Sequence, residues 1–150
     1  MMKSLPLVIF SQQQQLFALE ASFVRSQGSV SFIDTRRELL SFSQLLNSEL
    51  FKQEAYPCQH WLRLAGSQGR WLLGIEGDAE LVELPAEQIY PLPPLLQASR
   101  QFKALQAVAW YQQRLVSVLD ARVLLGLAIP LLTPAVLDAS QGESLPNPAS

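Results

Sequence analysis

Cys58 and His60 are the single cysteine and the single histidine of this 150-residue chain, and they stand two residues apart. On a strand that spacing puts both side chains on one face, the arrangement a thiolate–imidazole dyad requires. The same residues also read as an inert loop thiol after Pro57 and an ordinary histidine at a strand start, and this plainer reading is preferred. No second Cys or His exists to complete a zinc site, and a lone cysteine excludes an internal disulfide. Gly66-Ser67-Gln68-Gly69 lacks the Gly-x-Ser-x-Gly spacing of a hydrolase elbow. The 7 glycines never cluster into a phosphate-binding loop. These residues predict no catalytic site, no cofactor and no metal.

Carboxylates are the other group that could act. No Lys or Arg lies between Arg70 and Arg100, whereas Glu76, Asp78, Glu80, Glu83 and Glu87 all do. In an extended segment Glu76, Asp78 and Glu80 share a face, where like charges repel and do not support pairing. Two readings stay open: a patch that attracts a basic partner or a cation, and solvated acids that protect a sheet edge. The glycine and glutamate of a calcium loop are out of place. Arg36 and Arg37, in the polar connection Asp34 to Glu38, are the better candidates for contacts outside the domain. For Ile33, Leu39, Leu40 and Phe42, packing and partner contact remain alternatives. Trp61, Trp71 and Trp110 fall in predicted strands, so packing is expected of them; one that proves exposed would be an interface anchor.

The elements that must position these groups are mostly strands. Leu7 to Phe10 and Leu16 to Leu19 are short apolar runs around Gln12 to Gln15, a hairpin with glutamines in its turn. Val30 to Ile33 and Leu39 to Phe42 are two more strand candidates. Leucines 45, 46 and 50 have helical spacing, predicting a helix over Ser43 to Leu50 with Ser43 as a cap. Trp61 to Leu64 and Trp71 to Ile75 flank a glycine-containing turn. Leu81 to Leu84 is a strand closed by Pro85, and Pro91, Pro93 and Pro94 predict an extended link. Leu105 to Tyr111 and Arg114 to Leu119 form a hairpin around Gln112-Gln113. Asp120 caps a helix from Ala121 to Leu127 that Pro130 stops.

Composition bounds the class. Apolar types are 49% and charged types 16%, so the chain is expected to fold. A net charge of -2 argues against nucleic acid as a partner. The most apolar stretch, Val123 to Leu137, is interrupted by prolines and shorter than a membrane span, so no direct membrane insertion is expected. A soluble protein in a reduced, cytoplasmic setting is the natural expectation. Many short strands without βαβ alternation predict a mainly β fold of small barrels. One domain over residues 1–137 is expected, with a shortened first β-barrel over 5–55, a second barrel plus helix over 56–127, and a flexible tail over 138–150.

Read in order, these motifs resemble the CheW-like domain, the coupling module of bacterial chemosensory arrays. Leu72-Leu73-Gly74-Ile75-Glu76, then Leu81-Val82-Glu83-Leu84-Pro85, then Pro91-Leu92-Pro93-Pro94 are similar to the family's strand, "V-L-E-L-P" step and proline link. Ala107 to Trp110 and Leu115 to Asp120 resemble its final hairpin and "L-L-D" entry to the last helix. Phe17-Ala18-Leu19 resembles its "F-A-L" strand. Ile33 to Leu45 can be laid on "I-N-L-R-G-R-V-V-P-V-V-D-L", with Arg36 on the family arginine. Arg37 then replaces a glycine, Ser41 a proline and Gln44 an aspartate. Glu76 stands where Asp is usual and Asp78 where an apolar residue is usual. A proline-bearing family segment of roughly twenty residues has no counterpart after Val24.

The resemblance covers about residues 5 to 127. It implies two small five-stranded β-barrels packed on a shared apolar seam, with the C-terminal helix folded back. It implies a non-enzymatic cytoplasmic adaptor in chemotaxis signal transduction, coupling chemoreceptor cytoplasmic tips to the regulatory domain of a CheA-type histidine kinase. The protein-binding surface expected on this basis comprises Ile33, Arg36, Leu40 and Phe42, with the acids Glu76 and Asp78. The alternatives are a kinase-independent binding subunit in pilus or motility regulation, an auxiliary array protein that forms a homodimer through an open edge strand, and an enzyme using Cys58 and His60.

Overall fold

The computed structural model describes residues 3–30, 38–46, 58–66, 71–94 and 102–132. Two antiparallel hairpins dominate it. In the first, β1 (Ser4–Gln12) returns as β2 (Gln15–Glu20), with Phe10 opposite Phe17. In the second, β9 (Leu105–Tyr111) returns as β10 (Arg114–Leu119), with Leu115 opposite Trp110. Each closes through two glutamines in the left-handed region: φ is 54° and 68° at Gln13 and Gln14, and 49° and 64° at Gln112 and Gln113. Two-residue hairpin loops take such angles because the turn must match the right-handed strand twist. Glutamine has no intrinsic preference for this conformation, so the flanking pairing and the turn's own partners must hold it.

The remaining strands are β3 (Val24–Ser29), β4 (Glu38–Ser41), β5 (His60–Leu64), β6 (Trp71–Ile75), β7 (Glu80–Pro85) and β8 (Ile89–Pro91). They build a six-stranded sheet in the order β7-β1-β2-β10-β9-β8 and a four-stranded sheet in the order β3-β5-β6-β4. The mainly β architecture of two packed β units expected from the sequence is present; among the described residues the larger unit has six strands and the smaller four. The sheets do not follow the two halves of the chain. β1 and β2, from the first half, pair with β7 and β10 from the second. β5 and β6, from the second half, pair with β3 and β4 from the first.

The six-stranded sheet is curled. Its two edge strands, β7 and β8, are consecutive in the chain and joined by a 3-10 turn at Ala86–Gln88. The same device, a 3-10 turn at Ala21–Phe23, carries the chain from β2 in one sheet to β3 in the other. The concave face buries Leu7, Ile9, Ala18, Ala107, Ala109 and Val116, with Val118 and Leu84 beside them. Its three alanines allow strands to approach across a tight curve, as small barrels require.

The convex face of β1 and β2 packs on the four-stranded sheet. There Val8, Phe10, Phe17 and Leu19 meet Leu40, Leu62, Leu73 and Ile75. β6 is buried along its whole length, as befits a central strand with one parallel and one antiparallel neighbour. Phe42 inserts between the sheets: its ring lies 5.0 Å from Phe10 and 4.9 Å from Phe17, edge-on to both, and 6.2 Å from Phe102.

Phe42 begins a one-turn helix, α1 (Phe42–Leu45), and the residue that caps it is Ser41, not Ser43. Ser41 Oγ accepts from Ser43 N at 3.2 Å, and Gln44 Oε1 accepts from Ser41 N at 3.0 Å, a capping box. Ser43 lies inside the first turn, and residues 47–50 of the predicted helix lie outside the described residues. The last helix, α2 (Ala121–Ala128), has the expected cap: Asp120 Oδ1 accepts from Arg122 N at 2.9 Å and Val123 N at 3.4 Å. Pro130 lies in the 3-10 turn that ends it. Phe42→Ala should destabilise the protein by about 3–5 kcal/mol, and Phe42→Leu by clearly less. Urea denaturation monitored by circular dichroism will measure both.

Candidate functional site

The acidic interval is the link between the two sheets. β6 ends at Ile75 in the smaller sheet and β7 begins at Glu80 in the larger one. Glu76 Oε2 accepts the backbone N–H of Gln13 at 2.8 Å. The carboxylate therefore satisfies a donor of the strained turn in the larger sheet. Asp78 reaches the other way: its Oδ1 is 2.6 Å from His60 Nε2 at the start of β5. The link is thus stapled to both sheets by its two acids. Arg114 Nη2 adds a third tie at the same end, donating to the Gln14 carbonyl at 2.7 Å.

These contacts change how the acids are read. Glu76 is half-buried and committed to a backbone partner within the chain. Asp78 is exposed and, with Glu80, lines an open recess of about 240 Å³ at the mouth of the curled sheet, over Ile9, Leu16 and Tyr111. Of the other expected contact residues, Leu40 and Phe42 are 3% and 0% exposed, because the convex face of the larger sheet covers them. Packing is what these two side chains do. Ile33 and Arg36 lie outside the described residues.

The thiol–imidazole dyad is not assembled. His60 Nε2 faces Asp78, and its Nδ1 is buried without a hydrogen-bond partner among the described residues. Cys58 instead packs over Gly74 in β6, where a Cβ would stand 2.6 Å from its Sγ. Among the described residues, no group of three or more His, Cys, Asp or Glu side chains is placed to hold a metal ion. No described helix is long and apolar enough to cross a membrane.

The surface holds what the sequence reading missed. Trp71 is buried and Trp61 lies over Gly28 with its indole Nε1 donating to the Ser29 carbonyl at 3.1 Å. Trp110, by contrast, is 45% exposed on β9, and its cross-strand neighbour Leu115 is 63% exposed. Tyr90 on β8 is 54% exposed and pairs with Val108, which pairs in turn with Ser117. All five share the convex face. The alternation of β9 and β10 shows which residues share a face, but not which stretch of that face another element covers.

A curled six-stranded sheet joined to a four-stranded one, with a capped helix returning to their seam, is the CheW-like fold. Among solved structures, the chain is similar to the scaffolding protein TtCheW from Thermoanaerobacter tengcongensis, with a TM-score of 0.55 and 12% sequence identity over 78% of this chain and 89% of that one. What the two share at that identity is the fold. No family model matches the chain, and no curated protein matches it by sequence.

Two substitutions test the link and the packing around it. Glu76→Ala should cost about 1–3 kcal/mol, since it leaves the Gln13 N–H without its charged acceptor, whereas Asp78→Ala should cost about 1 kcal/mol or less at its exposure. Gly74→Ala should cost about 1–3 kcal/mol by overpacking against Cys58, and adding Cys58→Ala should restore part of the loss. Chemical denaturation of the single and double variants will read each difference.

Proposed function

We propose that this chain is a non-enzymatic adaptor of the CheW-like kind, acting in the cytoplasm to couple chemoreceptor tips to the regulatory domain of a CheA-type histidine kinase. The observation that carries this reading is the fold, which it shares with a scaffolding protein over most of both chains. The surfaces add support. Half of the convex face of the larger sheet is buried against the smaller sheet, and the other half exposes aromatic and aliphatic side chains of the kind that anchor protein contacts. Arg36 is assigned a contact role, its guanidinium pairing with a partner carboxylate, and Ile33 a place beside it.

The test is reconstitution with purified partners. The full chain is immobilised and offered the regulatory domain of a CheA-type kinase and a chemoreceptor cytoplasmic fragment, separately and together. Specific retention of either, weakened about tenfold by Arg36→Ala, is the expected outcome. Retention of neither would sink this reading in favour of a kinase-independent binding subunit.

A further inference from the structure

We draw no further inference here: the strongest candidate, the exposed patch of Tyr90, Trp110 and Leu115 on the convex face of β8, β9 and β10, carries nothing because nothing in the structure shows what covers it.

Discussion

Phe42 joins the two sheets. Its ring is fully buried and meets Phe10 and Phe17 edge-on. Those two rings face each other across β1 and β2, so a single side chain from the smaller unit grips a cross-strand pair of the larger one. Edge-to-face contacts at these distances satisfy the ring quadrupoles and add to the large area each ring removes from water. The geometry depends on the backbone turning immediately after β4, and Ser41 and Gln44 provide that turn by capping the first helical residues. Sequence, cap and core are therefore one arrangement: Ser41 ends the strand and caps the turn that begins with Phe42, two residues past the buried Leu40.

The second constraint is the pair of glutamine turns. β2 and β10 run parallel and in register, Leu16 beside Val116, so both hairpins present their turns at the same end of the sheet. Four left-handed non-glycine residues at one end are costly. Glu76 and Arg114 answer locally, one accepting from the turn's N–H and the other donating to its carbonyl. Both acids of the inter-sheet link are therefore structural, Glu76 half-buried on the Gln13 N–H and Asp78 exposed beside His60.

Legibility in the sequence followed how local each signal was. Both hairpins and the Asp120 cap could be read because alternation and capping depend on residues a few positions apart. β3 was missed because Val-Arg-Ser-Gln-Gly-Ser has little apolar character; its Gly28 leaves room for the Trp61 ring of β5. β8 was read as a proline link, yet Pro91 fits because β8 is an edge strand with no neighbour beyond it among the described residues to receive an N–H. The parallel pairings β2–β10 and β4–β6 leave no local trace, since each depends on segments far apart in the chain. That is also why the division into sequential halves did not match the sheets. Leu40 and Phe42 showed the limit most directly: an apolar residue near a candidate arginine looks the same in sequence whether it faces a partner or its own core.

The distribution of side-chain size over the curled sheet indicates where binding can occur. Its concave side is filled by Ala18, Ala107 and Ala109 against valines and leucines, so the curl closes on packed side chains. The recesses at the mouth and beside Asp120, about 240 and 210 Å³, are open and smaller than the roughly 300–1,000 Å³ of ordinary ligand pockets. Of the two faces of this sheet, the convex one leaves apolar side chains exposed. It is covered from β1 to β2 by the smaller sheet and uncovered from β10 to β8, although the same rows of residues run through both. Among the described residues, the larger sheet thus uses its concave face for its own closure and part of its convex face for its neighbour, and leaves Trp110, Leu115 and Tyr90 exposed on the rest.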